Sequence, residues 1–208
     1  MSFSRKCLGI PYGVFLIFFV AAPLLVLIYY AFTNGQGQFT TSNLQNFFTD
    51  PNTLGTLCYS LVIALTATAV CLLIAYPVAY ILAQSRIKKK AVILLLFIMP
   101  MWINFTLRIT ALKEILSVIE GNLAYHPFIN TIIGMTYDFL PFMILPLYTT
   151  LSKLDRSVIE AASDLGADNF QTFIKIILPL SVPGIVSGVS MVFLPAMTNY
   201  VVLDMLYN

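Results

Sequence analysis

The fold class predicted for this chain is an all-α, polytopic bundle of transmembrane helices, and three observations predict it. Of the 208 residues, 59% are hydrophobic and only 10% are charged, a balance that soluble domains rarely reach. Five apolar stretches, at about 8–32, 57–83, 91–112, 129–150 and 176–197, are each long enough for a helix of about 20 residues to cross the hydrocarbon layer. The basic residues, finally, collect in alternate connections. A transmembrane barrel would instead show short strands of alternating hydrophobicity.

The charges orient the spans. Arg5 and Lys6 precede the first. Arg86, Lys88, Lys89 and Lys90 join the second to the third. Lys153, Arg156 and Lys175 join the fourth to the fifth. These are nine of the eleven basic residues, and the positive-inside rule makes their side the cytoplasm. The N-terminus is therefore expected inside. The opposite connections hold Lys113, with Arg108 near the end of span three. The apolar run of the first span exceeds a signal-peptide core and no small-residue cleavage site follows it, so it is expected to be retained.

Taken in order, the first outer loop (33–53) carries the Gly, Pro, Asn and Thr typical of loops. Within it, Ser42 and Gln45 have capping-box spacing before Leu44, Phe47 and Phe48. This predicts a short helix lying in the outer interface. In span two, Tyr76 and Tyr80 read as packing or interface residues. Cys58 and Cys71 sit on one helix about 20 Å apart, too far to bridge, and Cys7 is cytoplasmic. In span three, Asn104 and Arg108 lie one turn apart on one face and Trp102 sits mid-span. They are candidates for pore lining or for polar contact with another helix. The outer stretch 113–127 predicts another short helix, stopped by Gly121, with His126 facing solvent beyond it.

Asp138 is the single carboxylate well inside a span, and burying one there is costly. Tyr137 and Phe139 flank it. Three readings stay open: a cation site on a pathway, an ion pair with Arg108, or a water-lined position. Prolines 77, 100, 141, 146, 183 and 195 predict kinks satisfied by neighbouring helices. Gly184 and Gly188 predict close helix packing in span five. Asp204 falls outside. No paired carboxylates, Ser/His/Asp set or metal-ligand spacing is present, which argues against a membrane enzyme and predicts no metal site. A scaffold without transport is the other class that composition alone allows.

The cytoplasmic segment of about 156–175 is the most informative. Ser157 and Glu160 have capping-box spacing, predicting a helix over 158–165. Gly166 is the natural stop, and Asp168 with Gln171 caps a second helix leading into span five. Ala161 and Ala162 make one surface thin, suited to a groove on another protein.

Glu160-Ala161-Ala162, then Gly166, then Ile176-x-Leu178-Pro179 resembles the EAA signature of permease subunits in ABC importers. The stretches 100–113, 140–185 and 194–204 are similar to the spermidine and putrescine permeases, the first of the two polyamine permeases being the better match. The resemblance implies a type I importer permease in a bacterial inner membrane, with a sixth span beyond Asn208. It implies a second permease subunit, an extracytoplasmic polyamine-binding protein and a cytoplasmic ATPase dimer as partners, with lipid around it and no nucleic acid. It places the coupling to the ATPase on Glu160, Ala161, Ala162, Asp164 and Gly166. The chain has no phosphate-cradling G-x-x-x-x-G-K-[ST] loop, so ATP and Mg are expected on the partner and no cofactor on this chain. Polyamines are flexible cations that need carboxylates and aromatic faces. This makes Asp138, Tyr137, Trp102, Asn104, Arg108 and Asp204 the candidate pathway residues. A permease for an inorganic anion or a metal chelate is the alternative.

Overall fold

A computed structural model describes residues 9–85 and 87–207. Arg5, Lys6, Cys7 and Arg86, used above for orientation and thiol chemistry, lie outside the described residues. Regular structure among those described is helical, apart from an isolated bridge between Thr33 and Phe39. By length and composition, four helices suffice to cross a membrane, or five when a bent pair counts as one span. The chain divides into two compact units at Cys58/Tyr59.

The first unit contains α1 (Pro11–Ala31), α2 (Ser42–Thr49) and the start of α3 (Pro51–Gln84). No described side chain of α1 is buried within the unit, as expected of a helix that meets lipid or another subunit. The loop after α1 is closed by Asn34, whose Oδ1 accepts from the amides of Gln36 at 3.1 Å and Gln38 at 2.9 Å. The capping box expected at Ser42 and Gln45 does not form. Thr41 is the N-cap without a side-chain bond, and the Ser42 amide donates back to Thr40 Oγ1.

The second unit holds the rest of α3, α4 (Lys90–Trp102), α5 (Phe105–Glu120), α6 (Pro127–Leu151), α7 (Arg156–Asp164), α8 (Asn169–Thr198) and α9 (Val201–Tyr207). α3 turns a stripe of small residues inward: Ala64, Ala67, Cys71, Ala75 and Ala79 are all fully buried. Small side chains let neighbouring helices approach closely, which is how helices associate without a hydrophobic drive in lipid. The thiol of Cys71 reaches the carbonyl of Thr136 on α6. Tyr76 Oη lies 2.9 Å from Ser181 Oγ on α8. The seam between α6 and α8 is tighter still. A Cβ on Gly184 would stand 2.7 Å from Thr150 Oγ1, and one on Gly188 would stand 2.6 Å from Met143 Sδ. The two glycines therefore set the helix separation, as their spacing suggests.

Prolines shape the helices in two ways. Pro23 and Pro179 each follow a π-helical turn, Ile17–Ala21 and Phe173–Ile177. A proline lacks the N–H, and its ring crowds the carbonyl four residues back. The ladder steps over the problem: Ala22 donates to Ile17, and Leu178 to Phe173, five residues back. Pro100 acts differently. The stretch 91–112, expected as one continuous span, is broken there. α4 tightens into a 3₁₀ turn over Met99–Trp102, and α5 leaves at 97°. Asn104 is the reason the new helix starts where it does, because its side chain accepts from the Thr106 amide at 2.9 Å. α5 then absorbs Lys113 and most of the outer helix expected over 113–127, ending at Gly121 with φ +75°.

Candidate functional site

The segment after α6 folds as a short helix, a glycine corner and a return helix. α7 starts at Arg156, two residues before the expected position. Its N-cap is Asp155, which accepts from the Ser157 amide at 3.0 Å, so Ser157 is not the cap its spacing to Glu160 predicts. The reason is packing. Leu154 and Ile159, the N′ and N4 positions of a helix capped at 155, both pack against the core. These are the positions a hydrophobic staple uses, and the earlier start brings both side chains onto the core. The Ser157 amide holds the Asp155 carboxyl below the usual carboxylate range. Its capping contribution is thus present above the ordinary carboxylate pKa and is lost as pH falls through the lowered value.

The helix ends in a full Schellman motif: the Gly166 amide donates to Ser163 O at 2.9 Å and the Ala167 amide to Ala162 O at 3.0 Å. Gly166 has φ +82° and open space around it, so a side chain there meets backbone strain rather than a clash. Replacing it by valine should cost about 1–2 kcal/mol locally. Asparagine, which tolerates the left-handed region, should cost less. Coupled uptake should rank glycine, asparagine, valine at equal membrane yield; a valine variant equal to wild type would contradict the corner's role. Asp168 then caps the return helix through the Gln171 amide, as its spacing predicts.

The helix presents two unlike faces. Ile159 and Ala162 turn inward, and Ala162 is buried against this chain's own body. The thin surface expected from the alanine pair is therefore split. Ala161 faces out, on a ridge with Val158 and Leu165 at i, i+3 and i+7. Leu165 is 89% exposed, and Phe170 beyond the corner is 72% exposed. Glu160 and Asp164, one turn apart, are exposed beside that ridge.

Two contacts that the sequence did not announce tie this segment to α3. Arg156, at the first position of α7, donates from Nη2 to the carbonyl of Gln84, the last residue of α3, at 3.1 Å. Phe173, at the start of the π turn, meets the rings of Tyr76 and Tyr80 edge-on with centroids 5.8 and 5.6 Å apart. The two tyrosines are packing residues, as expected, and what they hold is the root of the return helix. The end of α3 thus contacts both the start of α7 and the root of the return helix.

The second cluster lies at the break in span three. Arg108 and Asp138 form a buried ion pair, Nη2 to Oδ1, with the residues 7% and 4% exposed. The guanidinium also donates from Nη1 to the Pro100 carbonyl at 3.0 Å and stands 5.9 Å from the Tyr137 ring centroid. Its Nε is buried without a partner. Beside it opens a concave surface of about 450 Å³ lined by Trp102, Tyr137, Pro100, Ile103, Leu96 and Met99. Four of the six candidate pathway residues thus come together. Asn104 lies one turn before Arg108, whose amide donates to its carbonyl at 3.1 Å, and its side chain is engaged as the cap of α5. Asp204 sits exposed on α9, in its first turn.

Residues 75–208 match the family described as binding-protein-dependent transport system inner membrane component. The chain is 39% identical to the spermidine/putrescine transport system permease protein PotB of Haemophilus influenzae, across 92% of this chain and 73% of that protein. It is 40% identical to PotB of Escherichia coli K12, across 92% and 76%. A PotB homolog of Mycoplasma pneumoniae is 31% identical across the whole of this chain and 76% of that protein.

Proposed function

The chain belongs to the binding-protein-dependent transport system inner membrane components, and from that premise we propose that it is the permease subunit of an ATP-driven importer of spermidine and putrescine. The polyamine assignment follows its likeness to the PotB proteins. The N-terminus and α7 face the cytoplasm, the side to which nine basic residues belong. A cytoplasmic ATPase dimer carries ATP and Mg, a second permease completes the membrane unit, and an extracytoplasmic protein delivers the polyamine.

The observation that carries the coupling mechanism is the two-faced α7. Its outer ridge of Val158, Ala161 and Leu165 is apolar and exposed, on a helix otherwise too short to stand alone. It docks in a groove on the ATPase, with Glu160 and Asp164 meeting polar or basic groups at its rim and Gly166 setting the angle. Arg156 at its start bonds to the end of α3, and Phe173 ties the return helix that follows it to the same span. When ATP draws the ATPase subunits together, α7 moves with them and α3 follows. The spans rock between inward- and outward-facing arrangements, an alternating-access cycle. Trp102, Tyr137 and Asp138 offer aromatic faces and a carboxylate to the passing cation.

Proteoliposomes holding the complete complex test the substrate. Labelled spermidine and putrescine should accumulate with ATP, and sulfate, phosphate or a ferric chelate should not. Uptake of an anion or chelate in place of polyamine would transfer the reading to another solute.

A further inference from the structure

We propose that Arg108 is a tethered cation that occupies, in this conformation, the carboxylate to which a polyamine ammonium binds during transport. The proposal rests on the polyamine reading above and assigns a competitive role to a residue of the chain itself.

The pair is not built like a purely structural clamp. Its guanidinium meets Asp138 through Nη2 and the Pro100 carbonyl through Nη1. The buried Nε donor goes unused. A charge fixed for stability in an apolar setting normally has its donors satisfied, because a buried unmatched polar group costs more than a typical hydrogen bond contributes. The arrangement here holds Asp138 neutralised but leaves the guanidinium short of partners.

The surroundings suit a diamine. Tyr137 touches both parts of the site: its ring faces the guanidinium and lines the neighbouring concavity. The concavity offers Leu96, Met99 and Ile103 to methylenes, and the faces of Trp102 and Tyr137 to an ammonium. Asp138 follows Tyr137 directly on α6. An ammonium that reaches Asp138 replaces one cation by another, so the buried carboxylate is never left bare. The displaced guanidinium keeps the Pro100 carbonyl and the Tyr137 ring.

The exchange also has a mechanical consequence. Arg108 links Pro100, in the break of span three, to Asp138 on α6. When the ammonium takes Asp138, that link opens and the break is free to move against α6. Cargo arrival and release of the joint become one event.

Uptake of labelled putrescine into proteoliposomes of the complete complex tests this with Arg108→Gln, Asp138→Asn and the double variant. Arg108→Gln removes the internal competitor. Its apparent KM should fall about tenfold, since a site occupied most of the time by its own cation binds the ligand weaker by the unoccupied fraction. Methylguanidinium should then inhibit this variant and not the wild-type complex. The double variant removes both charges together, so it avoids the unpaired arginine that can unfold Asp138→Asn. It should reach wild-type membrane levels yet lose about 30-fold or more in putrescine uptake efficiency, the scale of losing a buried charged partner. Double-variant uptake within a few-fold of wild type, or an Arg108→Gln variant with unchanged KM and no methylguanidinium inhibition, overturns the proposal while the polyamine reading stands. A wild-type complex that moves no polyamine removes the polyamine reading itself, and the proposal with it.

Discussion

Ala161→Trp leaves the chain folded in the membrane and cuts ATP-driven uptake by about 30-fold or more, the scale of disrupting an interface hot spot of about 2 kcal/mol. The indole would stand on the exposed ridge between Val158 and Leu165, where a close-fitting groove has no room for it. Nothing inside the subunit is disturbed, because Ala161 faces away from the core. ATP hydrolysis by the purified complex should persist without stimulation by the loaded binding protein. Ala162→Trp is the matched control with the opposite expectation. That position is buried in this chain, so tryptophan there displaces α7 from its own body and lowers the yield of folded protein. Measuring uptake and membrane yield for both separates docking from folding. Full coupling in Ala161→Trp, or equal yield losses at both positions, would contradict the two-faced helix.

Gly184→Leu is the substitution expected to damage the fold most. A Cβ there already lies 2.8 Å from Thr150 Cβ and 3.1 Å from the Pro146 carbonyl, and the backbone carbonyl cannot swing aside. Overpacking of this kind costs about 1–3 kcal/mol and often more when backbone must shift. The seam between α6 and α8 would have to open, with loss of packing all along it. Detergent-solubilised protein should show a lower unfolding temperature by size-exclusion or tryptophan fluorescence. Gly184→Ala should fall between the two. A leucine variant as stable as the wild-type chain would mean that the two helices are not held at this distance.

Much of this was legible in the residues. Gly166 announced its corner because a left-handed stop is what glycine permits and other residues resist. Asp168 and Gln171 announced the second cap through local hydrogen-bond chemistry alone. Gly184 and Gly188 announced a close seam by being one turn apart. The first cap is ambiguous in sequence because "LDRSVIE" offers two N-cap residues. The choice between Asp155 and Ser157 is made by Leu154 and Ile159 finding the core, a tertiary contact. At Pro100 the sequence predicts only a kink, because hydropathy runs on without interruption. Asn104, a strong cap inside an apolar stretch, was the signal that a new helix begins. The ion pair of Arg108 with Asp138 stood among the open readings, since each charge needed a partner. The bond of Arg108 to the Pro100 carbonyl had no trace in sequence, because it depends on the bend itself. The anchors of Arg156 on Gln84 and of Phe173 on Tyr76 and Tyr80 join residues 72 to 97 positions apart, beyond any local pattern.

The claim on which the whole account depends is that α7 is the handle by which a separate ATPase moves these spans. A photo-crosslinking residue placed at position 161 in intact cells, beside the same residue at position 162, tests it most directly. The account predicts an adduct with an ATP-binding subunit from position 161 and little or none from the buried position 162. No ATPase adduct from position 161 at normal expression, or labelling of that position by a membrane-impermeant reagent from outside, would contradict it.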